Sequence, residues 1–209
     1  MTPKRSISAA SRMAVLAAAV TTATLLGACA PLLIGGAMVG TALSVTDRRT
    51  SGAQLEDQAI ELKAINRVRE AAGSGSNVNV TSYNRTVLLT GEVASDAARG
   101  AAEQAVARIE NVRATVNELA VMGTTTLSAR SNDAILSSKV KAAFVDAKGL
   151  QANAVKVVAE RGSIYLMGRV TEREANRATE LARATSGVGK VVRVFEILSE
   201  AELAALQSK

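Results

Sequence analysis

The chain has 209 residues, 48% of them apolar but only 2% aromatic, and a formal charge of +6. It has no His, no Trp and a single Cys. That excludes an internal disulfide, a thiol-rich zinc site and the imidazole chemistry behind most general bases and metal ligands.

Lys4, Arg5 and Arg12 open the chain, and Met13 to Leu26 follows without a charge. The apolar run is shorter than the roughly 20 residues a bilayer span needs. The pattern is that of a secretory signal peptide, expected over residues 1–28. Without its three cations the chain keeps 22 basic and 19 acidic side chains, a net charge of +3. The run ends in Leu26-Gly27-Ala28-Cys29, which resembles the bacterial lipobox: an aliphatic residue, two small residues, then a Cys that becomes the first residue of the processed chain. The resemblance makes Cys29 the expected lipid acceptor. Multiple acyl chains give stable anchoring, at about 0.8 kcal/mol per buried methylene. Ala30, with no Asp after the Cys, implies the outer membrane. Residues 29–50 read as a lipidated tether, because Pro31 to Val45 is apolar, glycine-bearing and too short to span.

An internal repeat organises the remainder. Residues 77–93 align with 154–170 at an offset of 77, pairing Val78 with Val155, Val80 with Val157, Gly91 with Gly168 and Val93 with Val170. With a one-residue shift, Asp57 pairs with Asp133 and Lys63 with Lys139. Each unit reads helix, strand, strand, helix, strand, over residues 51–123 and 127–199, with 200–209 as a tail. In the second unit Leu136, Val140, Ala143 and Phe144 mark one helix face, with Asn132 and Asp133 as caps before it. Alternating strands follow around a turn at Arg161-Gly162. Thr171 to Glu174 is a capping box, and Ala175, Ala178 and Ala182 let its helix lie close to the sheet. Lys190 to Leu198 gives the last strand. In the first unit Ser95 caps the second helix. Gly91 and Gly168 mark a bulge or a close backbone approach. The expected fold class is α+β, an α/β sandwich with a three-stranded sheet on two helices in each unit. Val78, Val80, Leu89, Val116 and Val155, Val157, Leu166, Val192 are the residues expected to face the helices.

The Val-x-Val pairs, the Val/Ile-x-Leu-x-Gly-x-Val strands and the Ala-rich helix with a closing Val-x-x-Val resemble the BON domain. Lipobox, short tether, Thr46-Asp47-Arg48-Arg49 and two such units together resemble dual BON-domain outer-membrane lipoproteins. Asn111 departs from the pattern, standing where Gly187 keeps the usual Gly. The resemblance implies a non-enzymatic, phospholipid-binding protein that supports envelope integrity. It assigns lipid contact to the first helix of the second unit, on Ser131, Asn132, Asp133, Ala134, Ile135, Ser138, Lys139 and Lys141. Relatives can carry an aromatic early in this helix, where this chain has Ala134. The alternative is a scaffold docking on outer-membrane assembly or division proteins.

Asp133, Glu172 and Glu174 read as helix caps or solvated charges, so no catalytic residue, metal or cofactor is expected. Two Phe and two Tyr give too few stacking groups for nucleic acid, so no such partner is expected. Charge is uneven, −1 over residues 47–122 and +5 over 127–199. That asymmetry between two copies of one fold predicts an anionic partner for the second, with an anionic phospholipid surface as the expected one.

Overall fold

A computed structural model describes residues 47–207. The signal segment, Cys29 and most of the tether lie outside the described residues.

The first unit runs α1 (Ser51–Ala72), β1 (Asn77–Tyr83), β2 (Thr86–Val93), α2 (Asp96–Ala107), β3 (Ala114–Asn117) and β4 (Ala120–Val121). The second runs α3 (Leu127–Val145), a single 3-10 turn at Ala152–Ala154, β5 (Val155–Glu160), β6 (Ser163–Thr171), α4 (Glu172–Ala184) and β7 (Lys190–Leu198). A further helix, α5 (Glu200–Gln207), stands where a tail was expected, with Leu203 buried.

The middle strand of each sheet pairs antiparallel with the strand before it and parallel with the strand after α2 or α4. The two hairpins turn through Asn84-Arg85 and Arg161-Gly162, all four at positive φ. Positive φ at both central residues is the type I′ geometry, whose twist suits the flanking strands. β7 pairs along all nine residues with β6, whereas its counterpart is broken into β3 and β4. At the break Leu119 turns into the core and the Asn117 side chain accepts its amide at 3.2 Å.

Glycine at positions 91 and 168 follows from backbone proximity. A Cβ would sit 2.0 Å from the Asn77 carbonyl oxygen at Gly91 and 2.4 Å from the Ala154 carbonyl oxygen at Gly168. Asn111 is at φ 69 and Gly187 at φ 99, so the substitution keeps a positive-φ corner in a residue type that tolerates it.

One core in each unit lies between helices and sheet. The first gathers Ile60, Ala64 and Val68 of α1, Leu89 of β2 and Ala102 and Val106 of α2. The second gathers Leu136, Val140 and Phe144 of α3, Leu166 of β6 and Ala175, Ala178 and Ala182 of α4. Ser95 and the reciprocal Thr171–Glu174 box cap α2 and α4 as expected.

A third cluster lies between the sheets: Tyr83, Leu88, Tyr165 and Met167, with Val116, Val158, Val192 and Val194 against them. The layers therefore run helices, sheet, sheet, helices. This corrects the expected placing of Val116 and Val192, which face the opposite sheet; Val191 and Phe195 of β7 face the helices instead. Both tyrosines of the chain sit in this seam.

The seam also uses charge. Arg161 reaches from the second unit to the Gly91 carbonyl at 2.7 Å and to Glu92 at 3.1 Å. Lys156 pairs with Glu61 and Lys190 with Glu118, each at 3.2 Å. Three cations of the basic unit are thus matched to acids of the other. Pairing of the units accounts for part of an asymmetry that, on the sequence, pointed wholly to an outside partner.

Candidate lipid-facing site

Helix α3 starts earlier than its sequence suggested. The Thr126 hydroxyl accepts the Ala129 amide at 3.3 Å and caps the helix at Leu127, six residues before Asp133. Asp133 is therefore inside the helix and on its inner side. Its two oxygens accept the backbone amides of Arg161 and Gly162, each at 2.8 Å, buckling α3 to the β5–β6 turn.

Asp57 does the same in the first unit, taking the Asn84 and Arg85 amides at 2.8 Å and the Ser82 hydroxyl at 2.6 Å. Asp133, expected among the lipid contacts, is 8% exposed with both oxygens occupied. It holds the helix to the β5–β6 turn. The aligned Asp57–Asp133 pair was the signal for this role.

With Leu136, Val140 and Phe144 inward, the opposite face of α3 is fixed by the 100° step of a helix. It carries Leu127, Ala134, Ile135, Ser138, Ala142 and Val145, all exposed. Leu127 is 79%, Ile135 54% and Val145 72% exposed. Ser131 lies on the same line. The Ser131 and Ser138 hydroxyls donate to the Leu127 and Ala134 carbonyls at 3.0 Å, which lowers the cost of placing them against an apolar medium.

Lys141 borders the stripe on one side and Lys139 on the other; both are exposed and neither forms an ion pair among the described residues. Asp133 is the sole acid within α3. Beside the N-terminal half of the helix, a groove of about 370 Å³ runs to Ser186 and Gly187, with Asn132 and Lys139 on its walls. The structure thus brings Ser131, Asn132, Ala134, Ile135, Ser138, Lys139 and Lys141 onto one accessible surface, with Asp133 largely buried at the groove beside it.

The other buried acids also belong to the scaffold. Burial pushes the Glu92 carboxyl up, but Asn77, the Thr125 amide and Arg161 outweigh it and hold it below the ordinary 4.5. Burial likewise pushes the Glu174 carboxyl up, but hydrogen bonds from Arg48 and the Thr171 amide outweigh it and hold it below the ordinary 4.5. Asp57 is held below 3.8 against its burial by Ser82, the Arg85 amide, Arg49 and the Asn84 amide. Groups with depressed folded pKa values stabilise fully above their unfolded pKa and lose that contribution as pH falls through the folded one. With no His in the chain, urea midpoints should stay level from about pH 8 to about pH 5 and fall below about pH 4. A loss of stability near pH 6 would contradict this.

Among the described residues no group of His, Cys, Asp or Glu is arranged to hold a metal, and no helix is long and apolar enough to cross a membrane. The BON domain family matches twice, over residues 56–123 and 132–199. The chain belongs to the BON family. Outer membrane lipoprotein DolP of Haemophilus influenzae is 37% identical over 173 residues, covering 81% of this chain and 89% of its own. The 21 kDa hemolysin of Actinobacillus pleuropneumoniae is 30% identical over 151 residues, covering 71% and 78%. The solved structure of CdsD, a structural protein of the type III secretion system of Chlamydia trachomatis, aligns with 69% of this chain and 97% of its own. Its 11% identity and TM-score of 0.29 are too low to bear on function. Two BON domains and the DolP likeness make this a dual-BON outer-membrane lipoprotein of the DolP type, lipid-anchored and acting in the envelope. Family and relatives alike point to a non-enzymatic protein.

Proposed function

We propose that this dual-BON lipoprotein, anchored through Cys29, binds anionic phospholipid with the outward face of α3 and acts by binding, not by catalysis. The observation that carries the reading is an exposed, largely apolar stripe on α3, interrupted by Ser131 and Ser138 and bordered by Lys139 and Lys141, with the helix's one acid turned inward. Shallow burial of Leu127, Ile135 and Val145 supplies the hydrophobic contribution. Each lysine near an anionic surface adds about 1 kcal/mol.

Charge separates α3 from its counterpart. The outward face of α1 also exposes Leu55 and Leu62, but that helix carries four acids and three cations. The four-layer order places α1 on the far side from α3, so a bilayer under α3 leaves Leu55 and Leu62 pointing away from it. Those residues favour a second role, docking on outer-membrane assembly or division proteins, as the scaffold reading has it.

The test uses the soluble fragment 47–209 and vesicles of phosphatidylglycerol or of neutral phosphatidylcholine. Binding to the first, little to the second, and weakening as salt rises are expected, since the attraction acts over a Debye length of about 10 Å at 0.1 M. No binding to phosphatidylglycerol at low salt would favour the scaffold role.

A further inference from the structure

β7 is nine residues long and lies at the edge of its sheet, paired with β6 alone. It has no Gly and no Pro. Val191, Val192, Val194 and Phe195 are half-buried, and Ile197 is 46% exposed. A long apolar edge is a template for another strand, and folds usually blunt it. The other edges of this sandwich are blunted. The counterpart of β7 breaks into β3 and β4, with Leu119 turned into the core between them. The β1 and β5 edges are tied together by Asn79 donating to Glu160 at 2.9 Å. On β1 the Ser82 amide also donates to Glu61 at 2.7 Å, and the Ser82 carbonyl accepts from Lys156 at 3.4 Å. β7 alone stays long and unbroken. Beside it a groove of about 420 Å³ opens toward β3, with Val116, Val194 and Phe195 on its walls.

The residues of β7 say what fits there. Its nine positions centre on Val194. A second β7 laid antiparallel about Val194 keeps all nine in register. Lys190 then meets Leu198 of the second copy, Val191 meets Ile197, Val192 meets Glu196 and Arg193 meets Phe195. That covers the exposed Ile197 with an apolar mate and sets a guanidinium against an aromatic ring. Lys190 and Glu196 both reach the first unit, at Glu118 and Arg113, so both lie on the seam side of the strand. Across the junction they become diagonal neighbours of opposite charge. A parallel copy in register would instead set Lys190, Arg193 and Glu196 each against its own kind, which is destabilising.

We infer that β7 is the interface of a symmetric dimer, two copies of this chain joined antiparallel into one sheet of order β5-β6-β7-β7-β6-β5. The two-fold axis that relates antiparallel copies of one strand stands normal to the sheet. Both copies therefore keep α3 and α4 on the same side of it. The two α3 stripes then point the same way and meet one bilayer together, which strengthens binding without any new lipid contact. That consequence rests on the lipid reading of α3; the interface does not.

The test is disulfide cross-linking of the full chain in phosphatidylglycerol vesicles under mild oxidation, with the parent, whose one thiol is Cys29, as background. Residue 194 faces itself across the axis, with Cα atoms about 4.5–5.5 Å apart, within reach of a disulfide. V194C should therefore cross-link to its own copy. I197C should not, although residue 197 is exposed, because the two residues 197 stand about 20 Å apart. At least five times as much dimer is expected from V194C as from I197C or the parent. Adding I197K to V194C should cut the dimer at least fivefold, since an edge lysine opposes strand pairing. Should V194C not fold, a mixture of V191C and I197C chains must cross-link where neither does alone. Equal cross-linking at 194 and 197, the result of mere collision, overturns the inference. So does a folded V194C chain that gives no dimer above background, which would leave the β7 edge to a strand of another envelope protein. Co-sedimentation with phosphatidylglycerol vesicles reads the α3 contact separately: its absence beside intact cross-linking takes down the shared bilayer and leaves the dimer.

Discussion

Cys29→Ala should move the protein from the membrane fraction to the soluble fraction, or leave it as an uncleaved precursor, with no lipidated form remaining. The expectation follows from position: the sole thiol of the chain stands directly after Leu26-Gly27-Ala28. Acylation at that thiol and at the new amino terminus would bury several acyl chains, each methylene contributing about 0.8 kcal/mol, far beyond what the proposed α3 contact would supply. Loss of the anchor should therefore dominate every surface substitution. Mass spectrometry of the wild type should find acyl groups on Cys29 and none on any other residue. Unmodified mature protein in the soluble fraction would contradict this. So would a C29A protein that stays tightly bound to membranes at high salt.

How much of this was legible in the sequence varied with the range of the interaction involved. The repeat at an offset of 77 and the capping box at Thr171–Glu174 are local patterns, and both appear as read. The strand Lys190–Leu198 also has the bounds its sequence suggested. The strand faces were harder. Val87-Leu88-Leu89 and Ile164-Tyr165-Leu166-Met167 are continuous apolar runs, the mark of a strand buried on both sides, whereas the alternation in their partner strands specifies one face only. The second buried side is the other BON domain, and no pattern within one unit specifies it. Val116 and Val192 face the opposite sheet for that reason. The Asp133 role needed a contact 28 residues away at the Arg161 amide, whereas residue type and a nearby apolar run suggested a cap. The start of α3 is hard to read because Leu127 to Arg130 carries little apolar periodicity; the Thr126 cap is its one local signal. The Arg48–Glu174 pair spans 126 residues and is visible only in the folded chain.

The Lys139 and Lys141 surface is where a single comparison bears most directly on the proposed phospholipid contact. Both ammonium groups border the stripe and neither forms an ion pair among the described residues, in contrast to Lys156 and Lys190 at the seam. Removing two cations near an anionic surface costs about 2 kcal/mol. That corresponds to about 30-fold in affinity, and replacing them by carboxylates costs more. K139E/K141E changes exposed side chains outside the core, so its thermal midpoint should stay within a few degrees of the parent. The decisive measurement is co-sedimentation of fragment 47–209 with phosphatidylglycerol vesicles, parent against K139E/K141E, at low and at high salt. A parent that binds at low salt and a variant weakened by at least one to two orders of magnitude, converging as salt rises, is the predicted result. A folded variant that binds as the parent does would place the lipid surface elsewhere than on α3.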